Sequence, residues 1–418
     1  PTTAPAAAPN PAAAEATTAV ARVAPGPAST PAGAPAPTAA PATTPAADSA
    51  FGGGDTLGGV LSAADLTLKL YGDTGISVHD NTNQAWPTAN SNANIVVPGV
   101  PYAFFATRLD LFATANIEKL SFLSEVMFEG YNNSIGVDVE RLQVSYLFAN
   151  WLRLTAGRSH MAWGYYNDTY HHGNIFELTT SRPYGVNFED SGGLVMSHLI
   201  GFGADGTINV GKMQVRYDAQ VGNPRSANIT AVPVQFAEGA SPTLNARLRL
   251  MPIDGLILGV SAMRDVIPAL AGAAPITGRA QTEELVGGAH VVYTEHHFLI
   301  DTEAFYMVHN PEGGGQSTIY GGFAELGYTI GAFTPYVRPE LIVFPKGGDN
   351  VFQYTTGDAQ GTIVGQNAIY AGVHDMVDLR FGVKWLVMPQ LALKLEGDRL
   401  SRDGLHMEYA TFKAAFGF

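Results

Sequence analysis

Cysteine is absent from the 418 residues, so the chain has neither a disulfide framework nor a thiolate metal site, and its redox compartment is left unmarked. Charge is scarce too: Asp, Glu, Lys and Arg make up 14% of the chain, against about 25% in a soluble domain. Something other than a charged surface must keep the protein dispersed. Long apolar runs are also missing. No uninterrupted stretch approaches the roughly 20 residues of a spanning helix, which excludes a helical membrane topology. A basic excess is lacking, with a net charge of −14, so there is no electrostatic footprint for nucleic acid. The chain opens at Pro1 with no initiator Met and no n-region before an apolar h-region. It reads as a mature form, with a removed signal peptide left open.

What is present is 46% hydrophobic and 10% aromatic. Low charge without apolar helices fits a barrel whose outer face meets lipid and whose charges are confined to the lumen and loops. Before any such barrel lies a different composition. Thirty-two of the first fifty residues are Ala or Pro, and up to Val60 the only charges are Glu15, Arg22, Asp48 and Asp55. A segment like that cannot bury enough apolar surface to offset its ordering entropy. Residues 1–60 are expected to be a disordered, partly polyproline-II linker, either a passive spacer or a reach toward the cell wall or a periplasmic partner. Residues 61–418 are expected to form the folded unit.

From Asp65 the pattern alternates. Leu66, Leu68, Leu70, Ile76 and Val78 fall on one parity, and Asp65, Thr67, Lys69, Tyr71, Asp73 and Ser77 on the other, which is the period of a strand with one apolar and one polar face. The device recurs. Ala103, Phe105, Leu109 and Leu111 oppose Arg108 and Asp110; Leu244, Ala246, Leu248 and Leu250 oppose Asn245, Arg247 and Arg249; Leu391, Leu393 and Leu395 oppose Lys394, Glu396 and Asp398. A soluble sandwich alternates as well, so the connections carry more weight. Tight turns are read near 115–117, 149–150, 205–206, 252–255, 295–297, 331–332 and 388–390. Longer polar stretches lie between them at 79–99, 131–138, 159–191, 222–241, 265–281, 310–316, 345–370 and 398–405. Seven turns alternating with eight loops require about sixteen strands with both termini on the short-turn side. Pro335 and Pro339 fall in a run needed as a strand, and one of them is expected at a bulge or above the membrane.

The last strand, Leu405 to Phe418, ends in TFKAAFGF. That ending resembles the C-terminal signature of Gram-negative outer-membrane proteins, and the turn and loop order over residues 61–418 is similar to that of the sixteen-stranded porins. The resemblance implies an all-β, closed antiparallel transmembrane barrel in the outer membrane, with short periplasmic turns, long extracellular loops and the linker in the periplasm. It also implies a trimer, and a third loop that folds into the lumen.

Loop 159–191 is the longest connection of the barrel region and is rich in aromatic residues, which seek burial. It supplies the expected constriction: Trp163, Tyr165, Tyr166, Asp168, His171, His172 and Glu177. With Asp168, Glu177, Glu189 and Asp190 against Arg182 it is locally negative. Inward parity gives a basic wall of Arg108, Arg141, Arg153, Arg216, Arg247 and Arg249, and an acidic wall of Asp301, Glu303, Glu325 and Glu340. A negative loop facing guanidinium groups would set up a transverse field across a narrow gap; the alternative is that these groups pair and stiffen the wall. Mixed lumen charge implies weak selectivity, which overall acidity tilts toward cations. His160, His171 and His172 lie near carboxylates but lack a third ligand at recognisable spacing, so no metal and no cofactor is expected.

The expected function is passive diffusion of small hydrophilic solutes and ions across the outer membrane, with lipid as surroundings and no catalytic step. Two other readings stay open. One is a structural or scaffolding barrel with a sealed or occupied lumen. The other is an outer-membrane hydrolase, for which Ser159 with His160, or Asp168 with His171, lacks a third member.

Overall fold

The computed structural model describes residues 65–79, 102–131, 134–170, 174–186, 194–227, 239, 241–270, 278–346, 348–349, 351–352, 375–402 and 405–418. The segment 1–60, most of the first long loop, and His171, His172, Glu189 and Asp190 lie outside the described residues.

Sixteen strands follow one another: β1 (Asp65–His79), β2 (Tyr102–Ile117), β3 (Leu120–Tyr131), β4 (Ser134–Ala149), β5 (Leu152–His160), β6 (His198–Val210), β7 (Met213–Gly222) and β8 (Thr243–Met251). Then come β9 (Leu256–Ile267), β10 (Thr282–Tyr293), β11 (Phe298–Pro311), β12 (Ser317–Tyr328), β13 (Phe333–Val343), β14 (Met376–Met388), β15 (Leu391–Arg402) and β16 (Leu405–Gly417). Each strand pairs antiparallel with its sequence neighbours, and β1 pairs with β16 to close the barrel. The terminal signature takes part in closure: Leu70 and Phe418 exchange two backbone hydrogen bonds of 2.8 Å. Closure leaves no open edge, the condition for a sheet to cross a bilayer.

The burial pattern is that of a soluble protein turned inside out. Leu68, Phe202, Leu248, Val260, Phe381 and Leu395 stand exposed on the outer face, while Arg141, Asp218, Arg247, Glu303 and Lys394 are buried inside. Removing a Leu or Phe side chain from water contributes roughly 1.5–3 kcal/mol, and for the outer positions only lipid can do so. This is a transmembrane β-barrel.

Four features depart from the sequence expectation. The turn read at 205–206 lies at Gly211 and Lys212, where Gly211 takes φ 64°. Gly206 instead continues β6 and is small because the Trp151 backbone lies against it. Stretches 131–138 and 398–405 are mostly strand, and their polar residues Asp138 and Asp398 are buried lumen positions. Phe105 faces inward, not outward, because the β1–β2 register shifts between Asp73 and Gly75 and reverses parity above that point. Pro335 and Pro339 both lie in regular register with β14, opposite Val383 and Leu379. On the β12 side, Pro339 falls where pairing is interrupted between Phe323–Glu340 and Leu326–Val337, and Pro335 lies just past the last pair, Gly327–Tyr336.

One glycine re-aims a wall. Gly157 takes φ 124°, a conformation L side chains rarely adopt, and the Leu142 carbonyl occupies the place of its Cβ. Past it, Arg158 and His160 are buried on the lumen side, whereas Arg153 and Thr155 were the inward residues before it.

Candidate functional site

Beyond β5 the chain turns into the barrel at Met161 rather than outward. Met161, Trp163, Tyr166, Tyr184, Val186 and Leu194 pack with the wall residues Met263, Val286, Phe305, Met307, Ile319 and Phe323 in one buried cluster. The wall is shaped for this. Gly288 on β10 makes room for the Trp163 indole, since a Cβ there would lie 2.6 Å from a ring carbon.

Two sets of hydrogen bonds fix the loop. The first holds its descending arm. The amides of Tyr165 and Tyr166 both donate to Glu303 Oε1 at 2.6 Å, and that of Gly164 donates to Ser261 Oγ at 3.1 Å. Arg247 donates to the Gly164 carbonyl at 2.6 Å and to both oxygens of Asp168 at 3.0 and 2.7 Å. Asp168 belongs to α1 (Tyr166–Thr169), a single turn of helix. Burial works against the Asp168 charge, but Arg247 outweighs it and holds the carboxyl below its ordinary range. Burial raises the Tyr165 phenol above its ordinary value, so it acts as a neutral lumen wall.

The second set lies across the lumen, at Thr179 and Thr180. Lys394 Nζ donates to the Thr179 carbonyl at 2.7 Å and Lys413 Nζ to that of Thr180 at 2.6 Å. The Thr180 amide and hydroxyl donate to Glu396 at 2.9 and 2.5 Å. Arg338 donates to Thr179 Oγ1 and the Ser181 carbonyl at 2.7 and 2.8 Å, and Asn174 donates to Asp73 at 2.6 Å. Between the two sets, Arg182 is fully buried inside the loop. It donates to Asn167 and Val186 and lies 5.5 Å over the Tyr166 ring.

The loop therefore reaches from β7 and β8 round to β16 and β1. Beside the loop, among the described residues, lies a cavity of ≈ 200 Å³ against the β4–β8 wall, lined by Arg141, Arg153, Arg216, Arg249, Asp205 and Asp218 among others, with Ala162, Asp168 and Thr169 as its loop side.

Among the expected residues, Trp163, Tyr165, Tyr166, Asp168 and Glu177 all lie within the lumen, and all but Asp168 are buried. The six arginines of the basic wall and the four acidic residues face inward. Asp168 and Arg247 meet. Glu177 does not face the arginines; it is in the electrostatic neighbourhood of Lys384 and Lys394. Glu303, Glu325 and Glu340 direct oxygens at the loop: Thr179 Oγ1 donates to Glu325 at 3.2 Å and the Gly185 amide to Glu340 at 3.0 Å. Asp301 takes no such bond. Sequence reasoning passed over Lys394, Lys413, Glu396 and Arg338 as loop anchors. Their signal was inward lysines on the last two strands, where a charge inside a barrel needs a partner.

No protein-family model and no curated protein matches the chain. Its fold is that of the porins. Among solved structures it is similar to an anion-selective porin from Comamonas acidovorans, with TM-score 0.55 and 11% identity over 85% of this chain and 100% of that one. It is equally similar to a loop L8 deletion mutant of OmpT, an outer membrane protein of Vibrio cholerae (TM-score 0.54, 11% identity, 85% and 100% covered). The outer membrane channel DcaP of Acinetobacter baumannii aligns at TM-score 0.53 and 10% identity, covering 85% of this chain and 98% of that one. At such identities the likeness is one of fold.

Proposed function

We propose that this protein is an outer-membrane porin that lets small hydrophilic solutes and ions diffuse passively through the slot beside its lumen loop. Residues 61–418 are the barrel, the short turns face the periplasm, and residues 1–60 are a periplasmic spacer. The protein assembles as a homotrimer, and no cofactor or catalytic step is involved. The observation that carries the reading is a polar cavity retained beside a loop hydrogen-bonded to the wall at two places, near Tyr165 and near Thr179. A loop that only plugged the barrel would have no need for a guanidinium-lined gap along one wall. Asp168 forms the loop side of the constriction against Arg141, Arg153, Arg216 and Arg249, on a loop that Trp163, Tyr165 and Tyr166 pack against the wall. Catalysis by Asp168 is disfavoured because Arg247 takes both of its oxygens.

The sealed-barrel alternative draws on the reach of the loop, whose polar contacts extend to β16 and β1. Swelling of liposomes containing the full chain in isotonic sugars separates the two. A pore should admit a pentose quickly and a tetrasaccharide slowly or not at all. Swelling no faster than in protein-free liposomes would favour the sealed barrel.

A further inference from the structure

Four arginines and two aspartates of the β5–β8 wall meet Asp168 of the loop at the slot. Arg153 donates to Asp205 at 2.9 and 3.1 Å. Arg247 and Arg249 share Asp218 Oδ2 at 3.0 and 3.2 Å, and Asp168 is held by Arg247. Arg216 is left with looser contacts, 3.5 Å to Asp205 and 3.8 Å to Asp218. The cluster holds one more positive charge than its carboxylates neutralise.

Strand register concentrates that excess. Arg216 on β7 stands directly opposite Arg249 on β8, and like charges directly opposite destabilise a sheet pair. Arg249 is only 3% exposed, and its Nε has no hydrogen-bond partner; neither has the Nε of Arg216. Both residues line the cavity. A buried donor left unmade is costly, and the planar guanidinium fork matches a carboxylate or a phosphate. An oxyanion beside the two guanidinium groups would bring acceptors to a donor-rich site and screen their repulsion. The whole-chain charge of −14 points toward cations, but the field in a narrow gap is set by the groups that line it. The carboxylates of Glu303, Glu325 and Glu396 are engaged by the loop, and Asp301, which takes no such bond, is not part of the slot's lining, whereas Arg216 and Arg249 are.

We infer that the Arg216–Arg249 pair is a docking site for the carboxylate or phosphate group of small anionic solutes, and that the slot prefers anions. The anion preference rests on the pore reading, whereas the docking site stands on the arginines themselves.

The test has two arms on the full chain. In the first, inorganic phosphate is titrated onto the detergent-folded protein and followed by phosphorus NMR line width, with acetate as competitor to tell carboxylate from phosphate recognition. Wild type should bind phosphate, and R216Q/R249Q should bind it at least about tenfold more weakly. R249K, which keeps the charge but loses the fork, should fall between. Should the double variant not fold, R216Q, at a side chain 26% exposed, makes the same comparison. In the second arm, the reversal potential under a potassium chloride gradient should show anion preference that drops several-fold in R216Q/R249Q. A folded wild-type barrel that binds no phosphate, or one that conducts with cation preference, would overturn the inference. Phosphate binding by a barrel that never conducts would leave the site standing and sink the pore reading instead.

Discussion

Arg247 shows how much of the site rests on single side chains. Its guanidinium is fully buried, holds both oxygens of Asp168, reaches Asp218 and caps the Gly164 carbonyl. Parity alone marked it as a lumen residue, because Leu248 and Leu250 beside it are apolar and β8 alternates without interruption. Its partners were not legible, since Asp168 lies 79 residues away and loop geometry decides the meeting. Removing one member of such a network leaves buried charge unpaired, at about 3–5 kcal/mol. R247A should therefore lower the urea midpoint of the folded barrel and raise open-channel noise, as the descending arm of the loop loses its clamp. An unchanged midpoint with quiet openings would mean that Asp168 and Gly164 are held by other contacts.

Among the elements, strands and connections were unequally legible. Alternation exposed the strands because one face of each meets lipid and the other polar lumen. It failed at Phe105, because a register shift reverses parity without changing composition, and at Gly206, where a glycine marks close packing against Trp151 and not a turn. The inward loop was legible as an excess of aromatic residues, and its anchors were not. Gly288 ties the two levels together. It is an inward position on β10 whose missing side chain is the seat of Trp163. G288V should displace the indole, shift tryptophan emission to the red and widen the slot, with little change in the barrel's strand content by circular dichroism. Emission identical to that of wild type would show that the loop packs without this notch.

Over the whole molecule, a closed barrel of sixteen strands surrounds a loop that narrows the lumen and leaves an off-centre slot against β4–β8. Strand count and closure could be read from the chain because turns and loops alternate in strict order and the chain ends on an aromatic strand. The place of the slot could not, because it depends on where the loop finds its partners on β7–β16 and β1. The most direct measurement is single-channel conductance in planar bilayers, comparing the full chain with a variant lacking Trp163 to Thr180. The account predicts small, defined steps for the full chain and steps several-fold larger for the deletion. Equal steps in a correctly folded deletion variant, or a full chain with no steps at all, would contradict it.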